Sequence, residues 1–411
     1  MQPRLRLRAA ILRSFADPFP EECLGLSYLA PTEWQKLLRW LDTSGLALYF
    51  LDRLKDLAIL HVLPPAVLAR LERNLEENTE RTRSMAVESS AIQRNFQNVC
   101  ISYAVLKGFS LCPFSVFKPE LRSQLDLDFL VSESCAPAAR RILEQCGYRL
   151  HAVSGRSWEF KTDGSPNGSI ADMYKVSPLR CVELHLEYDH PGQPSLIARA
   201  EWRDFHGIAM PVLAAPDLFL GQARHLFKHI CSEFWRTAHL LELHRHIAAR
   251  CQDAEFWRSV RAIAGEDPRT IFALGVDALL IARTICDELP EGFAGWTIDR
   301  LPLGARRWVE SHGRDSAFSD FPGNKLYLLL QRELESAGVA RNRSLRRSLL
   351  PLKLPPPIRL APAKESFGAR LSRYRAQFRF IRFRMRFHIF QGLHYVWESL
   401  RWKRQINRTV C

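Results

Sequence analysis

The 411-residue chain has no uninterrupted apolar run of about 18 residues, the length that a membrane-spanning helix needs. It also lacks the G-x-x-x-x-G-K-[ST], G-x-G-x-x-G and G-x-S-x-G motifs, so nothing in it predicts a P-loop, a dinucleotide site or a serine hydrolase. None of its ten cysteines forms a C-x-x-C pair. We therefore expect a cytoplasmic globular protein with reduced thiols rather than a disulfide scaffold.

Acidic residues are almost absent from the end of the chain. Residues 341–411 contain 18 Lys and Arg but only 2 Asp and Glu, whereas the whole chain has a net charge of +14. Within this region, residues 363–411 mix arginines with aromatic residues at helical spacing and predict a basic helical tail. Three alternatives stay open for it: contact with nucleic acid, contact with an anionic membrane surface or a partner protein, or packing on the protein body.

The order of sequence patterns predicts an α+β protein with a mixed sheet flanked by helical regions at both ends. Short runs with period-two alternation, typical of strands, are confined to the second hundred residues, and helical spacing dominates elsewhere. We predict five segments: an N-terminal helical domain (1–100), a domain that contains the sheet (101–215), a helical domain (216–350), a Pro-rich linker (351–362) and the tail (363–411).

Two predicted strands carry carboxylates among apolar residues. Alternation in "LDLDFLV" directs Asp126 and Asp128 to one face, and alternation in "CVELHLEY" does the same for Glu183 and His185. If the two strands are neighbours, Glu183 approaches the aspartates. Three converging carboxylates repel one another unless divalent cations lie between them, and oxygen ligands favour Mg²⁺ or Mn²⁺.

An isolated D-x-D on a strand more often marks a solvated edge. Here Lys107 and Gly108 close the preceding strand, and Arg122 lies four residues before the aspartate pair. A glycine turn lets phosphate oxygens approach the backbone, while Lys and Arg neutralise their charge. These neighbours favour a phosphate-binding metal site over the solvated edge.

The segments "VLKGFS", "LRSQLDLDFLV" and "VELHLEY" resemble the uncharacterised nucleotidyltransferase family of the polymerase-beta-like superfamily. Members of that family show L-K-G, then R-x-x-x-D-[ILV]-D-[LF]-L-V, and later [DE]-[LI]-H-W on a strand. The leading helices "EWQKLLRWLDTSGLALYFLDRL" are also similar, so the resemblance covers residues 30–245. In this chain Ser110 stands one place later than the serine of the wider superfamily.

The resemblance implies a nucleotidyltransferase-type sheet, with residues 101–215 as the catalytic domain, and a role for each matching position. Asp126, Asp128 and Glu183 would be the catalytic and metal-binding residues. The nucleotide, ATP or another NTP, would bind at Lys107, Gly108, Ser110, Arg122 and His185. The implied reaction is metal-dependent transfer of NMP from the NTP to an unidentified hydroxyl acceptor, which can be RNA, protein or a small molecule.

Three alternatives accompany this prediction. Asp172 is a second choice for the third carboxylate. His225 and His229 have the i, i+4 spacing of a zinc pair but no evident third ligand, so they and Lys228 stay weak candidates for contacts with the base or the acceptor. The alternative function is a non-catalytic protein of the same fold that binds RNA or an anionic membrane surface through its tail, which would place it peripherally at the membrane.

Overall fold

The computed structural model describes residues 3–163, 170–188, 194–286, 289–339, 345–350 and 366–410. These residues contain one seven-stranded sheet, and its strands all fall between Tyr103 and Val212: β1 Tyr103–Leu106, β2 Leu127–Ser132, β3 Tyr148–Ser154, β4 Ser157–Thr162, β5 Cys181–Glu187, β6 Glu201–Phe205 and β7 Ile208–Val212. The strand order is β3-β4-β5-β2-β1-β7-β6. Pairings β2–β5 and β1–β7 are parallel and the others are antiparallel. The predicted α+β class is confirmed.

Helices precede the sheet, cover it and follow it. The chain begins with α1 Pro3–Arg13, α2 Pro31–Ser44, α3 Ala47–Asp56 and α4 Pro65–Asn98, and α5 Ala136–Gln145 connects β2 to β3. After the sheet come α6 Ala215–Ile230, α7 Ala238–Ala249, α8 Ala254–Ala264, α9 Pro268–Thr284, α10 Glu291–Thr297, α11 Leu303–Trp308, α12 Arg314–Ala317, α13 Tyr327–Ser336, α14 Leu345–Leu349 and α15 Phe367–Val410. None of these helices is long and apolar enough to cross a membrane.

The sheet separates two environments. Odd-numbered residues of β2, such as Phe129 and Val131, join even-numbered residues of β5 in a core that is covered by α4 and α5. The opposite face carries Asp128 and Leu130, and Leu130 belongs to a smaller apolar cluster with residues of β1 and α6. The helices before and after the sheet share one large hydrophobic core. The face of the sheet that carries Asp128 is therefore directed toward the helices that share this core.

One local prediction needs correction. Asp126 lies one residue before β2 rather than within it, and the neighbouring Leu125 is 53% exposed. Helices α2 and α4 both begin at prolines: α2 at Pro31, where Glu33 accepts a hydrogen bond from the Ala30 backbone N–H at 3.0 Å, and α4 at Pro65.

The C-terminal part of the chain forms the long helix α15. Its Trp402 is buried and donates a hydrogen bond from Nε1 to Glu333 Oε1 at 2.9 Å, and Tyr395, one heptad earlier, is also buried. Many large apolar residues on other sides of the helix are exposed. The predicted linker, residues 351–362, lies outside the described residues. No disulfide forms among the nine cysteines within the described ranges.

Candidate active site

Two carboxylates face each other across the parallel pair β2–β5. Asp128 on β2 is in register with Glu183 on β5, and His185 follows two residues later on the same face of β5. One ligand atom from each of these three residues lies within 4.8 Å of the others. The strand alternation in the sequence thus places them on a shared face, and the parallel pairing brings them together.

Lys107 and His185 form hydrogen bonds with these carboxylates. Lys107, directly after β1, donates from Nζ to Asp128 Oδ1 at 2.8 Å. His185 Nε2 lies 2.9 Å from the same oxygen and 3.3 Å from Glu183 Oε2. Asp128 is 3% exposed, so its charge requires such partners. Charge-assisted hydrogen bonds from Lys107 and His185 meet that requirement.

The proton affinities within the cluster follow from these contacts. Burial and then the Asp128 charge raise the pKa of Asp126. Burial would also raise the pKa of Asp128, but its bonds from His185 and the Lys107 charge lower it overall. The hydrogen bond from His185 lowers the pKa of Glu183. Despite burial, bonds to Asp128 and Glu183 raise the pKa of His185. Asp126 is therefore the most easily protonated of the three carboxylates.

The turn after β1 is tight and needs glycine. Lys107 and Gly108 have φ of 52° and 48°. A Cβ at Gly108 would lie 2.3 Å from Gln124 Nε2, which itself donates to the Asp126 backbone carbonyl at 2.7 Å. Because a side chain at position 108 would displace Gln124, this turn and the Asp126 loop fit only with glycine here.

The long helix α4 positions the loop that carries Asp126. Asn78 Nδ2 donates to the Glu120 and Arg122 carbonyls at 2.6 and 3.2 Å. Arg81 donates from Nε to the Gln124 carbonyl at 3.1 Å. Both side chains are buried in the helical interior. An N-terminal helix thus fixes the backbone that leads into β2.

The other predicted nucleotide-binding residues make internal contacts. Arg122 Nε pairs with Glu242 Oε1 of α7 at 3.1 Å, and Tyr49 donates to that oxygen at 2.9 Å. The Asp126 and Asp128 charges also act on the Arg122 guanidinium, so it lies near the carboxylates. Ser110 is fully buried and donates to the Lys107 carbonyl at 2.8 Å. Its hydroxyl therefore stabilises the turn.

Asp172, the second choice for a third carboxylate, lies in a short 3₁₀ helix, Ile170–Asp172, and pairs with Lys175 at 2.8 Å. It is not one of the residues that form the cluster around Asp128. The arrangement therefore favours Glu183 as the third carboxylate.

A second cluster of ligating side chains comes from α6 and α7. His225, His229 and His239 offer one ring nitrogen each within 4.8 Å of one another. Sequence reasoning found the first two but missed His239, which belongs to the next helix. His239 is visible in the sequence as a histidine near the start of α7. Only the packing of α7 against α6 places it beside His225 and His229.

A sequence profile of the uncharacterised nucleotidyltransferase family matches residues 30–268, more than half of the chain. The chain belongs to this family. The matched region contains the strand pair β2–β5, the turn at Gly108 and both helices of the histidine cluster. The predicted resemblance is thereby confirmed. No curated protein sequence matches the chain.

Two solved structures show distant similarity to this family member. One is the antibiotic-resistance factor ANT(2'')-Ia in solution, with 10% identity, a TM-score of 0.33, and coverage of 44% of this chain and 90% of that one. The other is a crystal structure of an antigenic nucleotidyltransferase-like protein from Paracoccidioides brasiliensis, with 12% identity, a TM-score of 0.29, and coverage of 46% and 89%.

The donor set at Asp128 suits a hard divalent ion. Asp128 and Glu183 supply carboxylate oxygens, which Mg²⁺ and Mn²⁺ prefer. Asp126 is not one of the three residues whose ligand atoms lie together, although burial and then the Asp128 and Glu183 charges raise its pKa. His185, bonded to both strand carboxylates, orients them as a neighbouring hydrogen-bond donor. The residues present therefore fit the group that the family uses.

Proposed function

We propose that this protein is a metal-dependent nucleotidyltransferase that moves an NMP from an NTP to a hydroxyl-bearing acceptor. The observation that carries the proposal is the pairing of Asp128 with Glu183 across β2 and β5, beside Lys107, in a member of a nucleotidyltransferase family. A protein that only binds a surface has no need for two strand carboxylates in this buried position.

Each residue of the cluster has a task in this reaction. The acceptor hydroxyl oxygen forms a bond to the α-phosphorus, and the bond from that phosphorus to the pyrophosphate oxygen breaks. The hydroxyl proton passes to a carboxylate of the cluster. Gly108 lets phosphate oxygens approach the backbone, and Lys107 neutralises their charge. His185 keeps Asp128 and Glu183 oriented.

Asp126, Asp128 and Glu183 would hold Mg²⁺ or Mn²⁺, which supplies positive charge to the phosphate oxygens when bound. The NTP is the nucleotide substrate, and ATP is one candidate. RNA, a protein or a small molecule is the acceptor.

The test uses the full chain with each α-labelled NTP, Mg²⁺ or Mn²⁺, and fractionated cell extract as the source of acceptor. We expect label in one acceptor class, loss of labelling in EDTA, and recovery when Mg²⁺ or Mn²⁺ is restored. The double variant Asp126→Asn, Asp128→Asn is the control, because it removes two charges with little change in volume. Labelling that persists in this variant would exclude the site as its source.

We further propose that α15 lies on an anionic membrane surface. Nine large apolar side chains at helical spacing are exposed along it: Phe367, Leu371, Tyr374, Phe378, Met385, Ile389, Leu393, Val396 and Leu400. Between residues 366 and 397 the helix has seven arginines and no acidic residue. An exposed apolar stripe next to arginines fits the boundary between acyl chains and anionic headgroups, and it supports a peripheral location of the protein.

A further inference from the structure

The histidine cluster is built from two helices that meet beside the candidate active site. His225 and His229 are one turn apart on α6, and His239 lies in the first turn of α7. Their ring centroids are 4.5, 5.1 and 4.9 Å apart, which makes a nearly equilateral triangle. One ring nitrogen of each histidine lies within 4.8 Å of the other two.

A hydrogen bond at Nδ1 of His229 leaves Nε2 available to bind a metal ion. Its Nδ1 lies 2.8 Å from the Phe234 backbone carbonyl. A carbonyl only accepts, so Nδ1 carries the proton and Nε2 has its lone pair available. A backbone carbonyl that fixes the tautomer of a histidine in this way is typical of metal-ligating imidazoles.

His239 provides a second, independent indication. Its side chain is buried, with 8% of the residue exposed, and its Nδ1 has no hydrogen-bond partner among the described residues. A buried polar nitrogen without a partner is costly, and bound metal or an ordered ligand removes that cost. His225 and His229 are partly exposed, so the cluster is open on one side.

We propose that His225, His229 and His239 bind a transition-metal dication of the Zn²⁺ type. Three neutral imidazoles without a carboxylate suit Zn²⁺ and its transition-metal neighbours and are poor ligands for Mg²⁺. Nitrogens bound to a tetrahedral ion at about 2.0–2.1 Å lie about 3.4 Å apart. The three ring nitrogens lie within 4.8 Å of one another, so they would move closer together when the ion binds.

Three protein ligands leave the fourth position to water or to an oxygen of a bound substrate. The Lys107 and Asp128 charges act on His225, so the cluster adjoins the carboxylate site. This second metal site differs from the Asp128 site in ligand type, in its supporting helices and in the ion that it selects. It does not depend on the proposed transferase activity.

The experiment uses untagged, metal-stripped full-length protein, because a histidine tag would itself bind the probe. Titration with Co²⁺, followed by visible absorption, should give one equivalent of tightly bound ion with the intense bands of a four-coordinate site. Zn²⁺ should then displace it and raise the thermal unfolding temperature. His225→Gln should weaken Co²⁺ binding by more than about tenfold.

Two control variants test whether the bound Co²⁺ lies at the histidine cluster. His151→Gln changes an exposed histidine on β3 and should leave the titration unchanged. Asp128→Asn combined with Glu183→Gln should keep one equivalent of Co²⁺ with the same four-coordinate bands, although this variant should abolish nucleotidyl transfer. His225 is partly exposed, so circular dichroism should show a folded variant, and the more buried His239→Gln gives a second comparison.

Equal Co²⁺ affinity in wild type and a folded His225→Gln variant would overturn the proposal. Loss of the Co²⁺ bands in the carboxylate variant would also overturn it, because the ion would then lie at Asp128. The proposal would also be overturned if the wild-type protein did not bind Co²⁺ stoichiometrically. None of these results depends on whether an acceptor is found, so failure of this proposal is distinguishable from failure of the proposed function.

Discussion

Asp128 and Glu183 occupy directly opposed positions on the parallel strands β2 and β5, although 54 residues separate them in the chain. His185 bonds to both side chains. This relationship makes Glu183, rather than Asp172, the partner of the aspartate pair.

The first prediction separates these two carboxylates. Glu183→Gln should lower nucleotidyl transfer by at least about a hundredfold, because in the proposed mechanism it removes a carboxylate that would hold the metal ion, and the charge of that ion stabilises the developing phosphate charge. Asp172→Asn should stay within about twofold of wild type, since Asp172 is paired with the exposed Lys175 and lies outside the cluster around Asp128. The measurement is the initial rate of label transfer at saturating NTP. A large loss in the Asp172 variant with none in the Glu183 variant would show that the assignment is wrong.

The second prediction concerns the turn at Gly108, where we propose that the triphosphate binds. Gly108→Ala should raise the KM for NTP by about tenfold or more, because the new Cβ displaces Gln124 from the Asp126 carbonyl in addition to about 1–2 kcal/mol of backbone strain. Gly155→Ala is the matched control: its φ of 59° is similar, and no atom lies within 4 Å of the added Cβ.

Gly155→Ala should lose stability without a change in KM. Adding Gln124→Ala to Gly108→Ala should recover part of the KM effect, because the contact that causes the displacement is gone. If the two glycine variants have the same KM, the role of position 108 in nucleotide binding is refuted.

The third prediction is a dependence of stability on pH that comes from Asp277 of α9. This residue is 1% exposed, and neither carboxylate oxygen has a partner within the described part of the chain. Burial raises its pKa well above 3.8, so the folded protein keeps the proton that the unfolded chain releases. The free energy of unfolding therefore falls as pH rises above the ordinary Asp pKa, by about 1.4 kcal/mol per pH unit until the folded-state pKa is reached.

Asp277→Asn is neutral at every pH and lacks this dependence. We expect the variant to be more stable than wild type at pH 7, with a difference that shrinks toward pH 4. Urea unfolding at a series of pH values measures both curves. Parallel curves for the two proteins would mean that Asp277 is ionised in the folded state.

The fourth prediction tests the surface of α15. The full chain should sediment with phosphatidylserine-containing vesicles and not with neutral phosphatidylcholine vesicles, and added salt should weaken the association. Phe378→Asp with Met385→Asp, both on the exposed apolar stripe, should reduce binding by more than about tenfold. Phe383→Asp is the control, because Phe383 is exposed to a similar degree but lies off the stripe.

Equal sedimentation of the stripe and control variants would contradict the membrane proposal. Binding of the full chain to RNA without any vesicle association would replace it with the nucleic-acid alternative.

The alternation of apolar and polar residues in the sequence predicted part of this site. β2 and β5 carry apolar residues at every second position, because one face packs on α4 and α5 while the other carries polar groups. The hairpin β6–β7 was missed: its exposed Trp202 and its Pro211 weaken the alternation, and the turn at His206 and Gly207, both at positive φ, was the available signal.

The amino-acid sequence determined the family, the α+β class, the faces on which Asp128, Glu183 and His185 lie, and the basic, apolar surface of α15. Those properties depend on local periodicity and on residue type, which a chain carries before it folds. Tertiary structure decided which strands are neighbours, that Arg122 pairs with Glu242, and that His239 joins His225 and His229. Such contacts join residues that are distant in the chain, and their geometry depends on how whole helices and strands pack.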